Sequence, residues 1–135
     1  DWLQSIHTEA PQCWIAGFSF GAWIGMQLLM RRPEISGFIS ISPPANRYDF
    51  SFLAPCPASG LIVHGDKDEI VPPASIEEMI AKVAKQRDVI IERKLIEGAD
   101  HFYGTQLDEL DQSVVAYLDR RMKEIDAERA KAEED

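Results

Sequence analysis

A serine, two neighbouring aspartates and a histidine are the residue types that nucleophilic catalysis needs. Ser19 stands in the sequence Gly-Phe-Ser-Phe-Gly. Asp66 and Asp68 follow further along the chain, and His101 comes last. A serine hydroxyl is a weak nucleophile at neutral pH and needs a base within hydrogen-bond reach to take its proton. A histidine can be that base when a carboxylate fixes its tautomer and stabilises the imidazolium that forms.

The residues around Ser19 predict a sharp turn between a strand and a helix. An apolar, strand-like run precedes the Gly-Phe-Ser-Phe-Gly segment, and a helix-like run follows it. A serine on such a turn projects its Oγ above the sheet. We expect the small residues Gly17 and Gly21 to let the strand and the helix pass close to each other. We also expect the N–H of Phe20 to lie at the helix N-terminus, where the helix dipole favours an oxyanion.

Two other interpretations of this segment compete with the catalytic turn. The first is a buried glycine turn whose serine is idle. The second is a transmembrane helix, because residues 13–30 carry no charge, glycines recur at every fourth position, and two arginines follow. A membrane helix leaves the strand pattern and the aspartate and histidine segments unexplained, so we favour the turn.

Segments of strand and helix character alternate along the chain. The predicted strands are 12–18, 37–42, 60–64 and 89–96, and the predicted helices are 21–32, a helix that opens on a capping box at 75–78, and 107 to about 125. This alternation predicts an α/β fold, in which a parallel sheet of about four strands has helices on both faces. Active sites in such sheets gather at the carboxyl ends of the strands. Ser19, the two aspartates and His101 all follow predicted strands.

Three segments carry further signals. The continuous apolar run of the first strand predicts that it is covered on both faces. Arg93 and Lys94 in the last strand indicate an edge position. Beyond Lys123 the chain is almost entirely charged residues and alanine, for which we expect a solvated helical extension or a frayed tail.

Composition and charge argue against several kinds of partner and site. The chain has 23 acidic and 14 basic residues and a net charge of −9, which argues against nucleic acid and anionic membranes. Cys13 and Cys56 form no C-x-x-C pair, so we expect free thiols, which suit a reducing compartment and hence the cytoplasm. His7, His64 and His101 lack the spacing of metal ligands, so we expect no metal.

Three stretches together carry a resemblance to a known family. They are residues 14–21 (Trp-Ile-Ala-Gly-Phe-Ser-Phe-Gly), 64–72 (His-Gly-Asp-Lys-Asp-Glu-Ile-Val-Pro) and 98–102 (Gly-Ala-Asp-His-Phe). They resemble the α/β-hydrolase superfamily, and above all small bacterial predicted serine hydrolases with dienelactone-hydrolase-like relatives. The resemblance covers residues 12–118 and implies the last four strands of an eight-stranded fold. We therefore expect residues 1–122 to be the C-terminal portion of such a domain, and 123–135 to be a charged helical or disordered tail.

The resemblance implies a role for each reactive residue. Ser19 would be the nucleophile, His101 the base and Asp68, rather than Asp66, the acid. The implied activity is hydrolysis of carboxylic esters through an acyl-enzyme, with a small-molecule acyl substrate and no cofactor. Hydrolysis of thioesters or peptides, and a non-catalytic binding module of the same fold, are the alternatives. Dienelactone hydrolases have a cysteine nucleophile, so their substrate is not carried over to this chain.

The resemblance also implies a second oxyanion donor that the matched stretches do not contain. In this fold a further N–H comes from the loop after the third strand. We therefore expect the intact gene product to be longer than this chain. Its oligomeric state stays open, with a homo-oligomer as one option.

Aromatic and polar residues near the predicted strand ends admit two interpretations. Four aromatic residues either line an acyl pocket or simply cover the sheet: Tyr48, Phe50, Phe52 and Phe102. The loop that carries the first three is short, so we expect a small or open pocket without a large lid. Among the polar residues we expect His64 to be packed, and Asp66 and Asp100 to shape turns.

Overall fold

Four parallel strands form one sheet in the computed structural model, which describes residues 12–31, 35–48, 50, 58–83 and 89–134. The strands are β1 (Trp14–Phe18), β2 (Gly37–Ile41), β3 (Gly60–Gly65) and β4 (Ile91–Ile96). Each strand pairs in parallel with the next one along the chain. The helices of the described part are α1 (Phe20–Arg31), α2 (Pro73–Val83) and α3 (Leu107–Glu134). The predicted α/β fold with a parallel sheet is confirmed.

Helices cover both faces of the sheet because side chains alternate along the central strands. On one face, Phe38 and Ile62 belong to a buried cluster with residues of α1 and α2. On the other face, Ile39 and Leu61 belong to a second cluster with Tyr117 of α3. The residues of β2 and β3 are buried almost throughout. Burial on both faces explains why these strands read as continuous apolar runs.

Strand β1 departs from this pattern, although its sequence is equally apolar. Its residues are half-buried or exposed, and Phe18 is 41% exposed. The expectation that this strand is covered on both faces holds only in part. Ile15 packs against one buried cluster and Trp14 against the other, but β1 has a single neighbour within the described part of the sheet, which leaves its edge open. Strand β4 lies at the opposite edge, with Arg93 and Lys94 exposed as expected. It begins at Ile91, later than predicted.

Helix α1 packs against β1 and β2 through a buried face. Ala22, Met26 and Leu29 are each 1% exposed. Across the ranges that the structure describes, no helix combines the length and the apolar character needed to cross a bilayer.

Helix α2 begins earlier than the sequence pattern indicated. It starts at Pro73, so the capping box predicted at Ser75 is wrong: the N–H of Ser75 donates to the Pro72 carbonyl (3.0 Å), inside the first turn. Proline suits the first helical position because the N–H that it lacks would have no partner within the helix.

Helix α3 continues through the charged C-terminal segment to Glu134. Ile125 is buried there. Just before β1, the side-chain amide of Gln12 donates to the Met122 carbonyl (3.1 Å) and to Asp126 (2.9 Å). This part of the helix is therefore docked against the start of β1 rather than solvated on all sides.

Candidate active site

Ser19 forms the turn between β1 and α1. Its φ of +54° lies in the left-handed region, which costs a non-glycine residue about 1–3 kcal/mol. Two backbone hydrogen bonds hold this conformation. The N–H of Ser19 donates to the Ile41 carbonyl at the end of β2 (2.8 Å), and its carbonyl accepts from the N–H of Ala22 (2.9 Å). Such a strand-to-helix turn lifts a serine Oγ above the end of the sheet.

The two glycines that flank Ser19 differ in how closely they are packed. A Cβ added to Gly17 would lie 2.4 Å from the carbonyl oxygen of Gly21 and 2.8 Å from the Cα of Ala22. A Cβ added to Gly21 would meet no described atom within 4 Å. Close passage of strand and helix therefore accounts for Gly17 and gives no reason for Gly21.

His101 lies between Ser19 and Asp68, within hydrogen-bond distance of both. Its Nε2 is 3.0 Å from the Ser19 Oγ, and its Nδ1 is 2.8 Å from the Asp68 Oδ2. An ionised carboxylate only accepts hydrogen bonds, so Nδ1 carries the imidazole proton and Nε2 is free to accept from the serine hydroxyl. His101 and Asp68 are each 4% exposed, so few water molecules compete for these contacts.

The carboxylate of Asp68 is held by the turn on which it lies. Its Oδ1 accepts from the N–H groups of Ile70 (2.9 Å) and Val71 (2.8 Å). These bonds leave Oδ2 for His101 and fix the direction in which the carboxylate points. Val71 is itself 1% exposed and belongs to the core, so its packing holds the turn in place.

Asp66, the alternative acid, is exposed and bridges two turns. Its Oδ1 accepts from the N–H of Gly98 (2.6 Å), and the N–H of Lys67 donates to the Ala99 carbonyl (2.9 Å). We expected Asp66 to shape its own turn, whereas these bonds tie that turn to the one that carries the histidine. The two turns also approach at Gly65, where an added Cβ would lie 2.2 Å from the Ala99 oxygen.

Two buried hydroxyl groups beside the site were not indicated by the sequence. Tyr103 is 1% exposed, and its Oη lies 2.7 Å from the Ser42 Oγ and 3.3 Å from the Val63 carbonyl oxygen. Burial raises the pKa of Tyr103 to about 12, so its hydroxyl stays protonated. The signal in the sequence is a tyrosine shortly after His101, which does not by itself distinguish packing from a role at the site.

The other titratable groups at the strand ends have structural partners. His64 is fully buried, its Nε2 accepts from the Nε of Arg93 (2.8 Å), and Arg93 also pairs with Glu77 (2.6 Å). Burial, and then the charge of Arg93, lower the pKa of His64, which agrees with the expected packed histidine. Asp100 accepts two N–H groups of its own turn, as expected. Among the described residues, no group of three or more His, Cys, Asp or Glu is placed to hold a metal ion.

The backbone N–H of Phe20 is the candidate oxyanion donor. Phe20 is the first residue of α1, and the N–H groups of a first helical turn have no acceptor within the helix. The helix dipole adds a partial positive charge at this end. The N–H next to Ser19 is therefore a candidate to donate a hydrogen bond to an anion.

Proteins of known sequence or structure are similar to this chain over most of its length. No family model matches it. It is 48% identical over 122 residues to an uncharacterized protein of Rickettsia prowazekii, covering 87% of this chain and 51% of that protein. A crystal structure of a protein of unknown function from Agrobacterium tumefaciens, proposed to be an α/β hydrolase, has 53% identity and a TM-score of 0.84, covering 91% of this chain and 56% of that one. An α/β serine hydrolase homologue from Coxiella burnetii has 31% identity and a TM-score of 0.74, covering 87% and 53%.

The chain has the α/β-hydrolase fold over the part of these relatives that it spans. It spans about half the length of the relatives that it matches. The four-stranded sheet corresponds to the C-terminal half of the fold, as the resemblance implied.

Two aromatic rings flank His101. The centroids of Phe18 and Phe102 lie 5.3 Å and 5.1 Å from the imidazole. Both phenylalanines are exposed, Phe102 to 63%. They form an apolar rim that is open to solvent in the described part of the chain.

A second aromatic group lies beside the residue that follows Ser19. Tyr48 stacks on Trp23 at a centroid distance of 4.4 Å, and Phe20 contacts both rings. Phe50 is instead 3% exposed and belongs to the core, which is the position expected of a residue that covers the sheet. Phe52, also a candidate for the pocket, lies outside the described residues, as do His7 and Cys56.

Proposed function

We propose that this chain carries the catalytic residues of a serine hydrolase that acts on carboxylic esters. The observation that supports it most is the position of His101, whose Nε2 lies 3.0 Å from the Ser19 Oγ while its Nδ1 lies 2.8 Å from Asp68. The order serine, aspartate, histidine along the chain is that of α/β hydrolases. Similarity to a serine hydrolase homologue of known structure supports the same chemistry.

Each group has a defined step in the proposed reaction. His101 Nε2 takes the hydroxyl proton of Ser19 as the Oγ attacks the acyl carbon, and Asp68 stabilises the imidazolium. The N–H of Phe20 donates to the oxyanion. His101 then protonates the leaving alcohol, and an acyl-enzyme remains. Water, deprotonated by His101, attacks this ester, and release of the acid restores the serine.

Within the described residues, the N–H of Phe20 is the one donor that we assign to the proposed oxyanion site. A second N–H in this fold comes from the loop after its third strand, and loss of one donor costs about 10²–10³ in rate. The chain spans about half of its relatives. We therefore expect a protein of the relatives' full length to hydrolyse esters at least about 100-fold faster than the 135-residue chain.

We propose that the site takes short or accessible acyl groups. Phe18, Phe20 and Phe102 are 41%, 52% and 63% exposed, so no described segment covers the reactive pair. Each buried CH₂ contributes about 0.8 kcal/mol, and an open surface provides little burial beyond the first few carbons of a chain. Rates for p-nitrophenyl acetate, butyrate and palmitate test this, and matched thioester and anilide substrates distinguish the alternative reactions. Faster turnover of palmitate would contradict the open site.

Covalent labelling with a fluorophosphonate, followed by intact mass, tests the proposed function. The reagent forms an adduct with an activated serine, so we expect a single adduct on the wild-type protein and none on Ser19→Ala. The matched control is Ser113→Ala, which changes a serine on α3 whose hydroxyl donates to the Glu109 carbonyl. No adduct on a full-length protein that circular dichroism shows to be folded would refute the proposal and favour a binding module.

A further inference from the structure

The end of β2 contacts both the turn that carries Ser19 and the turn that carries His101. The carbonyl of Ile41 accepts the N–H of Ser19 (2.8 Å). The next residue, Ser42, is fully buried, and its Oγ lies 2.7 Å from the Oη of Tyr103, which follows His101 by two positions. Two adjacent residues of β2 and its end thus contact Ser19 itself and the residue two positions after His101.

The hydrogen bonds around Tyr103 form a closed set. The N–H of Ser42 donates to the Val63 carbonyl (2.7 Å), and the same carbonyl lies 3.3 Å from the Tyr103 Oη. The Tyr103 hydroxyl can donate to Val63 while the Ser42 hydroxyl donates to the tyrosine oxygen, so each group has a partner. Because the pKa of Tyr103 is raised to about 12 by burial, this pattern persists at every pH at which a histidine acts as a base.

The backbone of these residues is strained in the same way as that of Ser19. In the described part of the chain, the non-glycine residues with positive φ are Ser19 (+54°), Ser42 (+50°) and Tyr103 (+55°). None of them is a residue type that enters this region readily. Strain of this kind persists where surrounding contacts hold it, and it concentrates at functional sites. Among the described non-glycine residues, positive φ occurs only at these three, which the end of β2 connects. We therefore treat them as one structural unit.

We propose that Tyr103 is a positioning residue that, through Ser42, sets the distance between His101 and Ser19. Other contacts of the histidine turn, at Gly98 and Ala99, lead to the turn after β3, which carries the acid. The Tyr103–Ser42 contact leads instead to the strand end that also holds the nucleophile. Without it, the Nδ1 contact to Asp68 can persist while the Nε2–Oγ distance lengthens. The catalytic consequence of this inference rests on the proposed function.

Conservative variants of the full-length protein test the inference. Tyr103→Phe and Ser42→Ala remove the hydroxyl groups with little change in shape. Tyr117→Phe is the matched control, because Tyr117 is also buried and belongs to the same cluster as Tyr103 but lies on α3. We expect each of the first two variants to lower the maximal rate constant of fluorophosphonate labelling about tenfold. The reagent concentration that gives half of the maximal rate should stay unchanged. The control should react at the wild-type rate.

The double variant measures whether the two hydroxyl groups act as one unit. If they do, Tyr103→Phe with Ser42→Ala should react no more slowly than either single variant. Additive losses, an equal loss in Tyr117→Phe, or a wild-type rate in Tyr103→Phe would each overturn the inference. If Tyr103→Phe does not fold, Ser42→Ala against the same control decides.

The ¹⁵N resonance of His101 Nε2 gives a readout that does not depend on activity. The difference between wild type and Ser19→Ala calibrates the effect of the serine hydrogen bond on this resonance. We expect Tyr103→Phe to move it towards the Ser19→Ala value, with the Nδ1 proton signal retained and Tyr117→Phe unchanged. A wild-type protein that forms no adduct would refute the proposed function alone. An Nε2 resonance that stays at its wild-type position in Tyr103→Phe would overturn the positioning role.

Discussion

Alanine at Gly17 and alanine at Gly21 should change the free energy of unfolding in opposite directions. At Gly17 the new Cβ would lie 2.4 Å from the Gly21 carbonyl oxygen and 2.8 Å from the Ala22 Cα, and neither backbone atom can rotate away. At Gly21 the new Cβ meets no described atom within 4 Å. Gly21 is the second residue of α1, and alanine is favoured over glycine in a helix by about 0.5–1 kcal/mol.

The expected magnitude follows from what must move. Overpacking a filled site costs about 1–3 kcal/mol, and a clash between backbone atoms belongs at the upper end because β1 and α1 would have to separate. Separation would also loosen Met26 and Leu29, which are each 1% exposed. We therefore expect Gly17→Ala to lower the free energy of unfolding by about 3 kcal/mol and Gly21→Ala to raise it by about 0.5 kcal/mol.

Urea unfolding followed by circular dichroism measures both changes, and each variant controls for the other. The dependence on urea concentration should be the same in all three proteins, so that shifts of the midpoint report stability. A Gly17→Ala protein within about 0.5 kcal/mol of wild type would mean that the strand and the helix have room to adjust. Equal destabilisation by Gly21→Ala would mean that the second glycine is also required by packing.

Three further predictions concern titratable residues. Asp68→Asn should slow fluorophosphonate labelling about 10⁴-fold, because an amide stabilises the wrong tautomer of the histidine, while Asp66→Asn should slow it far less; similar losses would contradict the assignment of the acid. Burial and the charge of Arg93 lower the pKa of His64 in the folded state, so the unfolded chain takes up the proton first. Stability should therefore fall as the pH drops below 6.5, and urea midpoints should show a smaller fall in His64→Gln than in wild type. Burial raises the pKa of Tyr103 and of Tyr117 to about 12, so stability should fall as the pH rises from 10 towards 12. In a titration followed by phenolate absorbance, Tyr103→Phe should have one fewer tyrosine that ionises near pH 12. A Tyr103 phenol that ionises near pH 10 would contradict its burial.

The alternation of strands and helices was predictable because β2 and β3 are buried on both faces. Their apolar runs then differ clearly from the helical spacing that follows. The apolar sequence of β1 does not by itself reveal that the strand is exposed, but the resemblance to half of an eight-stranded fold implies an open edge at this strand. The start of α2 was missed because Pro73 and Ser75 are both favourable at a helix start, and local preference alone does not rank them.

Residues that stand in a recognisable motif after a strand were easier to predict than residues that connect two turns at the strand ends. Ser19, Asp68 and His101 could be named from short patterns, and the structure brings them within hydrogen-bond distance. The bridge from Asp66 to the histidine turn depends on where two distant segments approach. The close packing at Gly65 depends on the same approach of two segments. A glycine at the end of a strand has many explanations, so the sequence alone does not indicate this one.

The left-handed backbone conformations of Ser42 and Tyr103 could not be predicted from the sequence, because they depend on contacts between distant segments. The sequence pattern predicted a sharp turn at Ser19, but serine and tyrosine have no intrinsic preference for positive φ that would reveal the other two residues. Each such residue costs about 1–3 kcal/mol, which is a large part of a total stability of about 5–15 kcal/mol. A fold that needed only to pack its core could relieve this cost with glycine. The strain at these three residues, which β2 links, therefore supports the proposal that they fix the serine and the histidine relative to each other.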